Sequence, residues 1–461
     1  MRQSAPASPA DVAAVAALLG RAPEGRFAVV LRDGDGSPVV IRNEPLLEDG
    51  TPMPTRYWLV GRSLQAAVGR LESSGGVRAA EAAVPAEAVV EAHRRYAAER
   101  DAAVPAGHEG PRPSGGVGGT REGVKCLHAH LAWYLAGGDD PVGAYVARRL
   151  APDLGPVVAV LDCGTNSTRL LVTAGGSVPL ARRMRITRLG EGVDATGRLS
   201  PAAIERTMDA LGEYRTIAGD LGATRVRAVT TSAARDAANA GDLLARAEAL
   251  LGCPLEVLDG AEEGRLAHLG ATRDLDPAAG PYLVIDLGGG STELVAGGGH
   301  GGAVSGVSLP VGCVRVTERF LVSDPPAPDE LEAARAYVAR VVGDAVEAHP
   351  ALADLPAAVS VAGTSAALAA LAVGLDRYDR SRVHLLRLGR DEVDRLAVRL
   401  GAATLEERRV MLAVEPERAE VIAGGAVALS AVLSALGRDE VVHSEADILD
   451  GMALDLAGRP G

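Results

Sequence analysis

Two stretches of this sequence repeat one arrangement of a carboxylate, a glycine turn and two hydroxyls. LDCGTNSTRLLV (161–172) and IDLGGGSTELVA (285–296) align without a gap, and from the aspartate on five of eleven positions coincide. An apolar run precedes and follows each turn, the pattern of strand, turn and strand. A strand that ends in Asp presents a carboxylate beside a turn. Glycines let the turn backbone approach a ligand and aim its N–H groups inward. The first turn supplies Gly164, Thr165, Asn166 and Ser167, the second Gly288, Gly289, Gly290, Ser291 and Thr292. Such turns cradle phosphate, and Asp162 and Asp286 suit Mg²⁺ or another divalent cation that keeps part of its water shell. One register position changes sign, Arg169 in the first copy and Glu293 in the second. A cation there holds phosphate; a carboxylate handles water or metal. Alone, each stretch reads equally well as a glycine-rich hairpin turn. The in-register repetition, 124 residues apart, favours two loops facing each other across a cleft.

Hydrolysis of a phosphate held by such turns would also need a base for the attacking water. GAEEGRL offers Glu262 and Glu263 at a helix start, where complementing the helix dipole is the plainer reading of both. ARRMRITRLG places Arg182, Arg183, Arg185 and Arg188 in strand-like alternation, with Arg183 and Arg185 on one face. They could line the entry of a polyanion or form a solvated strand face.

The elements that must position these groups alternate strand and helix from Val157 on, which argues an α/β fold. PVVAVLD, STRLLVTAG, RVRAVTTS, PLEVLDG and YLVIDL read as strands. SPAAIERTMDALGEYRTIAGDLG, ANAGDLLARAEALLG and AEEGRLAHLGAT read as helices. The domain boundaries expected are 1–150, 157–280 and 281–461, with APDLGP (151–156) as a linker. The chain has 461 residues, 47% of them apolar and 3% aromatic, enough for several cores packed by small aliphatic side chains. Residues 1–150 carry 17 basic and 17 acidic side chains, so the net charge of −13 sits wholly in the remainder. That argues against a nucleic-acid coat, because nonspecific binding rests on phosphate neutralisation. No apolar run has membrane-spanning length. Four cysteines without paired spacing read as a reducing compartment, the cytoplasm.

The segment 157–461 resembles the Ppx/GppA phosphatase family, the exopolyphosphatases and guanosine pentaphosphate phosphohydrolases. The pieces that carry the likeness include VVAVLDCGTNSTRLLV, TRLGEGVDATGRLS, VLDGAEEGRLAHLGA, YLVIDLGGGSTELV, VAGTSAALAAL and SEADILDGMAL. The resemblance implies the actin-like ATPase superfold, two RNase H-like halves, here preceded by a small α/β N-terminal domain. It implies Glu263 as catalytic base, Asp286 and Glu293 as essential acids, and Asp162 with Asp286 on a divalent cation. Gly164, Thr165, Asn166, Ser167, Arg169, Gly288, Gly289, Gly290, Ser291, Thr292, Arg188, Gly363 and Thr364 fall on phosphate-proximal pieces, as does Gly312. Arg235 and Asn239 match a helix near the cleft, and Cys163 and Cys313 read as core spacers. The implied reaction is Mg²⁺-dependent release of orthophosphate from the end of inorganic polyphosphate. Guanosine pentaphosphate is the alternative substrate, and a non-hydrolytic nucleotide or polyphosphate binder of the same superfold a further one. This chain resembles the short form of the family, which lacks an added helical domain. That leaves chain-length preference and a homodimer open.

Residues 20–145 resemble a domain-of-unknown-function family, number 501, which implies no activity. Ser8, Pro9 and Asp11 read as the start of a helix, and FAVVLRDGDGSPVVIR as a hairpin. LQAAVGRLE, AEAVVEAHRRYAAER and KCLHAHLAWYLAG read as helices. Lys125 is the sole lysine beside 46 arginines. On a helix Cys126 and His130 share a face; packing is the plainer role for them and for His93, His108 and His128. An anion site on Lys125 and the Gly115–Gly119 loop is a further expectation.

Overall fold

The computed structural model describes residues 5–298 and 304–459. Three sheets organise it. β1 (Phe27–Arg32), β2 (Pro38–Asn43) and β3 (Tyr57–Leu59) form an antiparallel meander in the N-terminal region. β4 (Val157–Cys163), β5 (Ser167–Ala174), β6 (Val178–Ile186), β7 (Arg225–Thr230) and β8 (Leu255–Val257) form a five-stranded sheet of order β6-β5-β4-β7-β8. β9 (Tyr282–Leu287), β10 (Thr292–Gly297), β11 (Val304–Leu309), β12 (Ala357–Val361), β13 (Leu386–Gly389) and β14 (Glu440–His443) form a sheet of order β11-β10-β9-β12-β14-β13. In each large sheet three antiparallel strands lead, and parallel strands extend the first of them. That shared order makes the two RNase H-like halves of an actin-like fold.

The pleat explains why β4 and β9 are apolar on both faces apart from Asp162 and Asp286. Alternate side chains point to opposite faces, and both faces are covered. Ala159 and Leu161 enter the core that holds Ile204, Leu211 and Tyr214 of the helix Pro201–Asp220. Val158 and Val160 face Ile448, Leu449, Met452 and Ala453 of the last helix, Ile448–Gly458. In β9, Leu283, Ile285 and Leu287 enter one core, while Tyr282 and Val284 meet Ala271 of the helix Gly260–Ala271.

Two helices therefore cross the boundary drawn at 280/281. Helix Gly260–Ala271 closes the face of the second sheet, and helix Ile448–Gly458, last in the chain, closes the first. They meet at glycines: a Cβ on Gly270 would overlap the Asp447 carbonyl, and one on Gly451 the Leu266 carbonyl. Nearer the start of the same helix a Cβ on Gly264 would lie 2.7 Å from Val295 Cγ2. Gly264→Ala is therefore expected to cost about 1–3 kcal/mol by overpacking, read as a lowered denaturant midpoint. An unchanged midpoint would show that Val295 swings aside freely.

The N-terminal region joins the rest without a slack linker. APDLGP contains a short 3₁₀ turn, Ala151–Asp153, whose Ala151 is buried. Leu135, Val142, Val146 and Leu150 share one apolar core with Leu161, Leu170 and Val172. Ser8 caps the helix Pro9–Leu19, accepting from the Asp11 amide at 3.2 Å, and Asp33 to Ser37 turn β1 into β2. One expectation is corrected. The helix after Lys125 starts at Leu127, and Cys126 is its extended N-cap, so Cys126 and His130 do not share a helical face. His130 Nδ1 lies 2.7 Å from Asp140, and His93 accepts the Val117 amide at 3.1 Å. His93 thus holds the glycine loop in place, while His130 fixes the Asp140 cap of the next helix. Among the described residues no helix is long and apolar enough to cross a membrane.

Candidate active site

Strand register sets the site. Asp162 pairs with Arg169 across the β4–β5 hairpin, and Asp286 with Glu293 across β9–β10. Each pair thus shares one sheet face, the face closed by a helix from the opposite half. Both turns are tied alike, Gly164 N to Ser167 O and Gly288 N to Ser291 O, each at 3.0 Å. The turns touch at their tips: a Cβ on Gly289 would lie 2.8 Å from Thr165 Cβ. Between the halves opens a cavity of about 260 Å³. Of the predicted residues it is lined by Asp162, Gly164, Thr165, Asn166, Ser167, Arg169, Glu263, Asp286, Gly288, Gly289, Ser291, Gly363 and Thr364.

Helix Gly260–Ala271 separates its two glutamates. Asp259 caps it by accepting the Glu262 amide at 2.8 Å. Glu262 turns outward to Arg265, 2.7 Å away, whereas Glu263 is 8% exposed and lines the cavity. Burial first, then the charges of Glu293 and Asp286, push the Glu263 carboxyl well above the usual range, opposed by Arg235 at 3.3 Å. Asp286 is pushed up to about 8 by burial and by Glu293, against the pull of Arg169. Burial raises Asp162 and Glu293 as well; Ser308 donates to Glu293 at 2.7 Å. Three of these buried acids, Asp162, Glu263 and Asp286, thus line one cavity, with Glu293 close enough to act on two of them.

Three expectations, Thr292, Gly290 and Arg188, are corrected, and a fourth residue, Arg169, stands at the cavity but paired. Thr292 alternates away from Glu293, is fully buried, and donates to the Val311 carbonyl at 2.6 Å. Gly290 faces a smaller recess, where its Cβ would lie 2.6 Å from Ser232 Oγ. Arg188 is outside the cavity and pairs with Glu420 at 2.8 Å. Arg169 does reach the cavity, yet its charge is taken by Asp162, at 2.5 Å, and by Asp447. Glu293 itself lies beneath the cavity wall, 1% exposed, and acts on Glu263 and Asp286 through its charge. Asn239 pins the Leu199 backbone with two hydrogen bonds, 2.8 and 3.0 Å. Cys163 and Cys313 are buried, and burial raises both thiols, so neither is a ready nucleophile. Arg185 pairs with Glu213 at 3.3 Å, away from Arg182 and Arg183, which line the cavity.

Sequence reasoning missed Asp447, Arg418, Tyr378 and Glu445, all on the cavity wall. Asp447 had a local trace: it forms a capping box with Asp450 before an apolar helix. Glu445 stands two residues before it in SEADILDGMAL, Arg418 sits in the 3₁₀ turn Pro416–Glu420, and Tyr378 comes from a loop with no motif.

Two buried atoms at the cavity lack any hydrogen-bond partner, Asp162 Oδ1 and Asn166 Nδ2. A buried acceptor and a buried donor without partners are costly unless a ligand satisfies them. The donor suits a phosphate oxygen and the acceptor a cation. Among the described residues no three carboxylate, histidine or cysteine side chains converge on one metal position. Asp162 and Asp286 nonetheless fit Mg²⁺, which takes one or two carboxylates and completes its shell with water and phosphate.

The model of the Ppx/GppA phosphatase family matches residues 171–459. The chain belongs to this family. A Ppx/GppA relative, exopolyphosphatase 2 of Mycobacterium tuberculosis, is 42% identical over 322 residues, 65% of this chain and 98% of the relative. The crystal structure of an exopolyphosphatase-like protein is 36% identical, with a TM-score of 0.62, matching 66% of this chain and 98% of that one. The Aquifex aeolicus Ppx/GppA family member is 32% identical, with a TM-score of 0.56 over 65% of this chain and 97% of its own. The Ppx/GppA match lies beside a second one: residues 29–148 match a family of unknown function, DUF501.

Proposed function

We propose that this chain is an exopolyphosphatase, a phosphoanhydride hydrolase that releases orthophosphate from the end of inorganic polyphosphate. The observation that carries the reading is Glu263, a buried carboxylate of raised basicity that opens into a cavity edged by two phosphate-type turns. Glu263 takes the proton of the attacking water. Its elevated proton affinity makes it a stronger base than a free glutamate, and Arg235 keeps its carboxylate oriented. The two turns hold the terminal phosphate, with Asn166 Nδ2 as one donor. Asp162 Oδ1 and Asp286 would hold a divalent cation, which supplies charge neutralisation at the phosphate oxygens. Arg183 stands on β6 at the cavity wall and would meet following phosphates, while Arg182 beside it is paired with Asp450 at 2.6 Å. The named activity of the 42% identical relative supports the same reading.

The test is orthophosphate release by the purified full chain with Mg²⁺ and, separately, long polyphosphate, guanosine pentaphosphate and ATP. Release chiefly from polyphosphate is expected. Preference for guanosine pentaphosphate would make the chain an alarmone phosphohydrolase. Tight ATP binding without release from either substrate would replace hydrolysis by nucleotide binding. The four free cysteines accord with work in a reducing compartment such as the cytoplasm.

A further inference from the structure

The cavity wall opposite the phosphate turns is built from Tyr378, His443, Glu445 and Asp447. Glu445 is the awkward member, because a carboxylate beside a phosphate chain repels it. Here its oxygens are occupied by neighbouring side chains of the same wall. The Tyr378 hydroxyl donates to it, His443 Nε2 lies 2.8 Å away, and the Arg380 guanidinium 3.9 Å. His443 is itself fixed, with Nδ1 2.8 Å from Ser365 Oγ. The Glu445 amide donates to His384 Nδ1 at 3.0 Å, and His384 Nε2 lies 3.2 Å from Asp274.

What holds these groups comes from the N-terminal region. The turn residue Gly137, in a left-handed conformation, lies against the Arg380 side chain, where a Cβ would come within 2.8 Å of Arg380 Cβ. Arg42 Nη1 donates to the Ser381 carbonyl at 3.3 Å, and Glu99 Oε2 lies 3.4 Å from Ser381 Oγ. Glu99 is rigid, since it also accepts from Arg56, Tyr57 and Trp133 at 3.0, 2.6 and 3.2 Å. On a second line, the Arg32 amide donates to Asp274 at 3.3 Å, behind His384. Both lines end on Glu445.

We propose that the N-terminal domain is a working part of the substrate cavity, in which Gly137, Glu99 and Arg42 position segment 378–381, and through it Tyr378 and Glu445. The inference rests on reading the cavity as the phosphate-chain site. The Ppx/GppA relatives are matched nearly end to end by about two thirds of this chain, so the domain adds to a complete catalytic module. Its contacts govern how well the phosphate chain is held, while Glu263 and the turns govern the chemical step. If segment 378–381 shifts, Glu445 loses its donors and turns its charge toward the chain.

The experiment uses the full chain and two variants at this contact, Ser381→Ala and Gly137→Ala, neither of which touches the cavity. With long polyphosphate the expected result is a KM raised about three- to tenfold with kcat within twofold, at a melting temperature showing that the variants are folded. A variant that merely loses folded molecules lowers kcat and leaves KM alone. Amide hydrogen exchange of the same proteins is expected to quicken in peptides spanning 376–382 and 443–447. Unchanged exchange at 443–447 in both variants overturns the positioning role, whatever the activity. Quickened exchange with KM within twofold overturns its link to substrate. A wild-type chain that releases no orthophosphate overturns the functional reading instead, and exchange still decides the positioning.

Discussion

Glu263→Gln is expected to lower kcat for orthophosphate release by about 10²- to 10⁴-fold, the usual worth of a positioned general base. KM is expected to stay within about threefold. The substitution keeps the shape of the side chain and the Arg235 contact at 3.3 Å, but glutamine cannot take a proton from water. The turns proposed to hold phosphate are on β4–β5 and β9–β10, not on the Glu263 helix, so binding should survive. Stability should move the other way. Burial and two neighbouring carboxylates oppose ionisation of Glu263, and a neutral amide removes that strain, so the variant should melt higher than wild type in metal-free buffer. Loss of a catalytic base and a gain in stability from one isosteric substitution are the mark of a site whose acids are held together for function. Retention of more than about a tenth of kcat would pass the role of base to another group, a fraction set against that usual worth.

The parts of the site that were legible in the sequence are those closed over short distances. Asp162 faces Arg169 seven residues on, and Asp286 faces Glu293 at the same spacing, because a hairpin pairs residues within one turn. The same rule, carried one step further, would have removed Thr292. Side chains alternate along a strand, so Thr292 and Glu293 cannot share a face. The partner of Arg169 was out of reach. Asp447 lies 278 residues away and arrives only because the last helix returns to close the first sheet. Nothing in SEADILDGMAL says which sheet its apolar face will cover. Arg188 fell inside a motif, yet its side chain spans the halves to Glu420. The helix drawn through Cys126 failed for a local reason. Its extended backbone makes it the cap of the helix, and no Ser, Thr, Asp or Asn marks that start. The absence of slack between Leu150 and Val157 was equally hidden, because Pro and Gly in APDLGP also suit a tight, buried turn.

Asp286→Asn is expected to make the metal-free protein more stable, by an amount that grows with pH. Asp286 ends β9 with 8% exposure, and burial, then Glu293, lift its carboxyl to about 8 in the folded chain. In the unfolded chain it titrates near 4. Between those values the folded state holds a proton that the unfolded state has released, so the wild type loses stability as pH rises from about 4 to 8. Each tenfold difference in proton affinity between the two states is worth about 1.4 kcal/mol, and the repulsion is shared with Glu263 and Glu293, so the advantage of the variant at pH 8 should be on the order of 3 kcal/mol. Mg²⁺ should reverse the order. A cation that binds only the folded, ionised site stabilises by mass action, and more so as the acid loses its proton. The wild type should therefore gain stability from Mg²⁺ at pH 8 and little at pH 4.5, while the variant gains little at either pH and loses most of its orthophosphate release. Denaturant melts with a chelator and with Mg²⁺ at both pH values separate these effects. A difference between the two proteins that does not change with pH would mean that Asp286 is ionised without help, and the cluster would then be no site of stored repulsion. A wild type indifferent to Mg²⁺ at pH 8 would remove Asp286 from the cation and leave it a role in orienting water alone.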